Sequence, residues 1–263
     1  MFKRIKNHLT FLYYQYLIRT NSLIKKQRKD SLSIPILIIN FNQLFYLKQL
    51  VNFLLKRGFE NIIIIDNKST YPPLLEYYKQ IENQVTVEYM QKNAGHMVFF
   101  ENKELQKKYG QGYYVITDAD IVPNDNLPKD FMAIMLSYLD KYFKTITKVG
   151  FALKIDDIPD HFPLKEKVLK WERKFWNHEI EKNIYKVDLD TTFALYKPNY
   201  PCFFDNISFY NGIRISNLFI AKHGGWYKDF NNLTHEEKFY QKTANDSSSW
   251  NINKTGGLVG DKY

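Results

Sequence analysis

The sequence predicts one α/β domain with a mostly parallel central sheet flanked by helices, preceded by a basic amphipathic helix. Three observations carry this reading. Four short apolar runs alternate with helix-period segments between Ile34 and Thr117, the pattern of right-handed βαβ crossovers. The length of 263 residues suits one large domain with a sizeable buried core. Within residues 1–30, eight Lys and Arg face Asp30 alone, so +7 of the net +9 charge lies there and only +2 on the remainder.

The first segment, 1–30, has Phe2, Ile5, Leu9, Leu12, Tyr13 and Tyr16 at helical spacing among its basic residues. Its apolar stretch is interrupted by Gln15 and stopped by Arg19, well short of the roughly 20 residues that span a bilayer. No small-residue cleavage site follows, as a secretory signal requires. Such a helix suits the surface of an anionic membrane, giving a cytoplasmic protein held peripherally on the inner face. A helix packed on the domain with solvated lysines accounts for the same pattern, and the sequence leaves both open.

The domain itself spans 31–243. Residues 34–39 form an isoleucine-rich strand, followed by a helix over 44–56 with Leu47, Leu50, Val51 and Leu54 on one face and Gly58 as its stop. A second strand covers 61–65 and ends in Asp66-Asn67. Pro72 and Pro73 open a helix to Ile81. Residues 85–90 alternate as a strand, 98–109 read as a helix, and 113–117 as a fourth strand running into Asp118. Beyond it the pattern predicts a helix over 131–142, a strand over 148–153, a helix over 164–181, strands over 192–196 and 213–218, and a helix over 234–242. The tail 244–263 is rich in Asn, Ser, Gly and Lys and reads as mobile.

Composition removes several function classes. At 44% hydrophobic and 25% charged residues, disorder over most of the chain is excluded. A nearly neutral domain argues against nucleic acid as partner. The single cysteine, Cys202, excludes an internal disulfide and fits a reducing compartment.

In parallel sheets, ligands bind at the carboxyl ends of strands. The polar residues at those ends therefore form one candidate site: Asn40 and Asn42, then Asp66 and Asn67, then Asn93 and Gly95, then Asp118 and Asp120. Carboxylates two residues apart at a strand end offer oxygen ligands to one hard cation, Mg²⁺ or Mn²⁺, shared with the phosphates of a nucleotide. Alone, Asp-x-Asp is weak evidence, since Asp is a common turn residue. Asp66 also reads as a turn former, and Asn93 with Gly95 as a tight turn. Order, spacing and shared placement at strand ends favour a site.

These stretches resemble the GT-A fold glycosyltransferases, family 2 in particular. The resemblance covers roughly residues 34–125 and is looser beyond. Ile62-Ile63-Ile64-Ile65-Asp66-Asn67 is similar to the family's second strand, which implies that Asp66 contacts the nucleobase. Gln91-Lys92-Asn93-Ala94-Gly95 is similar to the loop beside the nucleotide. Thr117-Asp118-Ala119-Asp120 resembles the metal motif, with Asp118 facing ribose and metal and Asp120 ligating the metal directly. The first strand exit departs from the family, with Asn40 and Phe41 where Pro and Thr or Ser are usual.

Two later stretches complete the candidates. An inverting transferase needs a base for the acceptor hydroxyl; Asp190, in Asp188-Leu189-Asp190-Thr191-Thr192-Phe193-Ala194, is the first choice because that stretch resembles one in bacterial sugar transferases, with Glu236 and Glu237 competing. His223, in His-Gly-Gly-Trp-Tyr, resembles the late metal-ligating His of GT-A enzymes. The function implied is metal-dependent transfer from a nucleotide diphosphate sugar, UDP-sugar favoured, to a glycan or lipid-linked acceptor. Two rivals remain: a sugar-nucleotide nucleotidyltransferase, whose Gly-rich basic loop is missing from Asn40-Phe41-Asn42-Gln43, and an inactive glycan-binding protein of the same fold.

Overall fold

The computed structural model describes residues 2–189, 192–201 and 207–244. The tail expected to be mobile lies outside the described residues from position 245 onward. In chain order the elements are α1 (Phe2–Thr20), α2 (Ser22–Lys29), β1 (Ile36–Asn40), α3 (Phe45–Lys56), β2 (Ile62–Asp66), α4 (Pro72–Ile81), β3 (Thr86–Tyr89), α5 (Val98–Glu101), α6 (Lys103–Tyr109), β4 (Tyr114–Asp118) and β5 (Ile121–Pro123). They continue with α7 (Phe131–Lys141), β6 (Lys148–Leu153), α8 (Lys165–Arg173), β7 (Glu179–Glu181), β8 (Ile184–Asp188), β9 (Ala194–Tyr196), β10 (Asn211–His223) and α9 (His235–Thr243).

One mixed sheet runs through the molecule in the order β3-β2-β1-β4-β9-β6-β10-β8-β7, with β5 paired to β10. The first four strands are parallel, as the βαβ pattern requires. Strand β9 then inserts antiparallel between β4 and β6. Every residue of β1 and β2 is buried, because helices cover both faces of a parallel sheet. Alternation splits them cleanly. Ile36, Ile38, Ile62 and Ile64 pack with Leu47, Leu50 and Leu54 of α3 and Leu74 of α4. Leu37, Ile39, Ile63 and Ile65 face the other way, with Phe99 and Leu105 of α5 and α6. Burying each such isoleucine contributes roughly 1.5–3 kcal/mol.

Three expectations need correction. The helix expected over 98–109 is two helices, broken at Asn102, whose side chain accepts from the N–H groups of Glu104 and Leu105 and so starts α6 afresh. The helix expected over 164–181 stops at Arg173, and 179–181 instead pairs with β8 as a hairpin turning at Asn183, which holds φ 66. The strand expected over 213–218 runs from 211 to 223, with an irregular register between Ile215 and Ile220 and Asn217 at φ 61.

Helices α1 and α2 pack one face on the domain between Thr10 and Arg28. Tyr14 and Ile24 are fully buried, and Gln27 both donates to the Tyr113 carbonyl and accepts from its N–H, at 2.9 and 2.8 Å. Arg28 forms a two-pronged contact with Asp140 on α7. The packed-helix reading therefore holds for one face of this segment. No described helix is long and apolar enough to cross a membrane.

A candidate nucleotide and metal site at the carboxyl ends of the strands

Register aligns the strand ends. Asn40 lies opposite Asp66, Ile39 opposite Asp118, and Asp66 opposite Tyr89, so three of the four predicted groups start from neighbouring positions. Tyr78 of α4 links the first two: its hydroxyl donates to Asp66 Oδ2 at 2.8 Å and accepts from Asn40 Nδ2 at 2.8 Å. Burial, reinforced by the Asp66 charge, pushes the Tyr78 hydroxyl far up, so it stays a donor. Asp66 Oδ1 accepts from the Ser69 N–H at 2.8 Å. The third group joins through Asn67, which donates to the Gly95 carbonyl and accepts from the Ala94 N–H, at 3.1 and 3.3 Å. Asn93 Oδ1 takes the Gly95 N–H at 2.9 Å, closing a turn in which Gly95 holds φ 74, a conformation other residues adopt at a cost.

Asp66 and Asn40 are only 1% exposed, so they form the floor of this edge. Asn40 Oδ1 is buried with no hydrogen-bond partner. The Asn42 side chain acts within the fold: Oδ1 accepts from the N–H groups of Thr70 and Tyr71, and Nδ2 donates to Thr243 of α9. That junction binds the first loop to the C-terminal helix.

Asp120 and His223 come together because β5 pairs antiparallel with the end of β10, setting His223 opposite Ile121. Asp120 Oδ2 lies 3.5 Å from His223 Nδ1, and it accepts the Gly225 N–H at 3.1 Å. The Asp120 carbonyl accepts the Gly224 N–H at 2.8 Å. His223 Nδ1 is buried with no hydrogen-bond partner. A Cβ on Gly224 would fall 2.3 Å from the Tyr46 ring, so only glycine lets this loop close on α3. Trp226 is buried and stacks on His223 with centroids 4.7 Å apart at 9°, which leaves its face to the imidazole and not to a sugar.

Whether a divalent cation fits is a question about donors. A carboxylate oxygen and an orphaned imidazole nitrogen 3.5 Å apart match two ligands of one Mg²⁺ or Mn²⁺ ion, which takes its other ligands from water and phosphate. Among the described residues, no group of three or more His, Cys, Asp or Glu gathers around one point. The half-buried Asp118 starts one strand position away from the Asn40–Asp66 pair.

The motif reading missed two residues that feel the Asp120 charge. Tyr46, in the first turn of α3, has its hydroxyl pushed up to about 12 by burial, then by the charges of Asp120, Glu237 and Glu236. Lys228 is lowered by burial, against the opposing pull of Asp120, Glu237 and Glu236. Lys228 lies five positions past His223, and Tyr46 reads as an ordinary helical residue; no local signal marks either.

Of the three candidate bases, Asp190 lies outside the described residues. Glu236 is occupied: its carboxylate accepts from the N–H groups of Leu44 and Phe45, capping α3 from α9. Glu237 closes the capping box of α9 with Thr234. Both carboxylates thus hold helix ends. Glu236→Ala is expected to lower stability by about 1 kcal/mol, read as a shifted urea midpoint at unchanged slope; an unshifted midpoint would remove the capping role.

A mannosyltransferase from Pyrobaculum calidifontis, solved with GDP-Man and Mn²⁺, is 14% identical, with TM-score 0.44 over 73% of this chain and 56% of its own. S. aureus TarS 1-349 is 13% identical, also at 0.44, over 73% of this chain and 60% of its own. The chain thus spans less than two thirds of either. Apo UDP-glucose pyrophosphorylase is 10% identical, with TM-score 0.38 over 72% and 92%. No protein-family model matches the chain, and no curated protein matches it in sequence. Identities this low carry no residue role across.

Proposed function

We propose that the protein is a metal-dependent glycosyltransferase moving a sugar from a nucleotide diphosphate sugar, a UDP-sugar being favoured, to a glycan or lipid-linked acceptor in surface polysaccharide synthesis. The observation that carries the reading is the Asp120–His223 pair, held by Gly224 and Gly225 on the same sheet edge as Asp66 and Asn40. In this reading Asp120 and His223 hold Mn²⁺ or Mg²⁺, with Asp118 turned to the ribose and metal. The cation, when bound, offsets the charge of the departing diphosphate. Lys228 and Tyr46 both feel the Asp120 charge, and in this reading they offer a diphosphate a positive charge and a hydroxyl donor. Asp66 contacts the nucleobase, with the Asn93–Gly95 turn alongside. Asp190 takes the proton of the acceptor hydroxyl as its oxygen bonds to the anomeric carbon and the bond to diphosphate breaks.

The nucleotidyltransferase alternative needs backbone N–H groups free to cradle phosphate after the first strand. Here the Leu44 and Phe45 N–H groups are taken by Glu236, and the Asn42 N–H by Ser69. The occupied helix start favours glycosyl transfer.

A thermal-shift screen of nucleoside diphosphates with Mn²⁺ tests the proposal. A nucleotide at one hundred times its dissociation constant should add about 2.7 kcal/mol of stability, and UDP should lead. Asp66→Ala should remove most of that shift while turnover at saturating donor falls less, because a base contact persists from ground state to transition state. No shift with any nucleotide would overturn the proposal. A large fall in turnover at unchanged donor affinity would remove the Asp66 role.

A further inference from the structure

Helix α1 has two apolar faces, and the domain uses one. Phe11 and Tyr14 pack against Phe143, Tyr13 bonds to Asn199, and Leu17 and Ile18 lean on the core. The opposite face carries Ile5, Leu9, Leu12 and Tyr16, exposed by 50%, 56%, 49% and 62%. Their spacing of four, three and four residues sets them in one line along the helix. Leu23 on α2 is exposed as well. A soluble surface scatters single apolar residues; it does not align four on a helix already anchored by its other side.

The two N-terminal helices are themselves basic. Arg19 ends α1, and Lys25, Lys26 and Lys29 are exposed on α2. Lys144 stands over the Phe11 ring at the edge of the same helix. Within 1–29 there is no Asp or Glu. The nearest acid on the neighbouring helix α7, Asp140, is neutralised by Arg28. A thin apolar line on a convex helix has no groove for a partner helix, and an unopposed set of lysines and arginines calls for an anionic surface.

We propose that this face of α1, with the exposed lysines of α2, is a docking surface for an anionic lipid bilayer, on which the helix lies in the plane of the headgroups. The line enters the acyl boundary, the lysines meet the phosphates, and the strand ends stay in water. Attachment is peripheral and reversible, consistent with the absence of a spanning helix among the described residues. The surface is independent of the reaction proposed above.

The test is co-sedimentation of the full chain with vesicles of phosphatidylcholine alone and with a third of phosphatidylserine. Anionic vesicles should bind it, and Leu9→Glu/Tyr16→Glu should cut partitioning by about tenfold or more at unchanged thermal midpoint, since both side chains point away from the core. Lys25→Glu/Lys26→Glu should weaken it too, and salt should do the same to the parent. Equal partitioning of parent and Leu9→Glu/Tyr16→Glu, or equal binding to neutral and anionic vesicles, would overturn the proposal. So would a parent that binds no vesicle but sediments as a dimer that Leu9→Glu/Tyr16→Glu dissociates, which would assign the face to a second copy of the chain.

Discussion

Asp120→Ala is expected to lower sugar transfer by about a hundredfold or more, the scale seen when one preorganised electrostatic partner is removed from an active site. Two roles meet in this side chain. Its Oδ2 faces His223 Nδ1, and it also accepts the Gly225 N–H that holds the His223 loop. Alanine removes both, and leaving that N–H unpaired costs about 1–3 kcal/mol. Asp120→Asn separates them, because the amide oxygen can still accept from Gly225 while the charge is gone. Activity should therefore be lost in both variants, whereas the thermal midpoint should fall only in the alanine one. Initial rates with UDP-sugars and Mn²⁺, beside thermal melts, make the comparison. Transfer by Asp120→Asn within a few-fold of the parent would end the metal-site reading.

The largest stability effect is expected at Glu172, far from that chemistry. Glu172 on α8 and Arg214 on β10 form an ion pair at 2.5 Å, with side chains 2% and 4% exposed. Arg214 also lies over the Phe175 ring, and its Nε is buried with no hydrogen-bond partner. Removing the carboxylate leaves a buried guanidinium charge without its counter-ion, which costs about 3–5 kcal/mol. That is a large fraction of the total of about 5–15 kcal/mol typical of a domain. Glu172→Ala should thus shift the urea midpoint strongly. The double change Glu172→Met/Arg214→Met should recover most of the loss, since removing both charges also removes their desolvation. A single variant within about 1 kcal/mol of the parent, below the range for breaking buried pairs, would mean that water reaches Arg214. Because β10 carries Arg214 near one end and His223 at the other, donor affinity in the single variant also reads how far a disturbed strand propagates.

Local pattern sufficed where one short segment makes one decision. Isoleucine-rich runs of four residues, 36–39 and 62–65, are buried from both sides, so β1 and β2 and the polar residues that end them were legible. The same holds for α3, whose apolar face repeats at helical spacing. The pattern failed where a partner decides. Glu179–Glu181 is polar and helix-prone, yet it is a strand because β8 pairs with it. Ile121–Pro123 is too short to be read as a strand until β10 pairs with it.

The candidate site divides in the same way. By itself the sequence determined the parallel half of the sheet, the four polar strand ends and the basic amphipathic character of residues 1–30, all properties of residues near one another in the chain. Only the tertiary structure decided that His223 meets Asp120, and that Tyr46 and Lys228 feel the Asp120 charge. It alone gave Glu236 to the start of α3, and divided α1 into a packed face and a bare one. The physical reason is range: periodicity and turn chemistry act over a few residues, whereas these contacts join positions tens to hundreds apart, and the burial that selects them exists only once the sheet has closed.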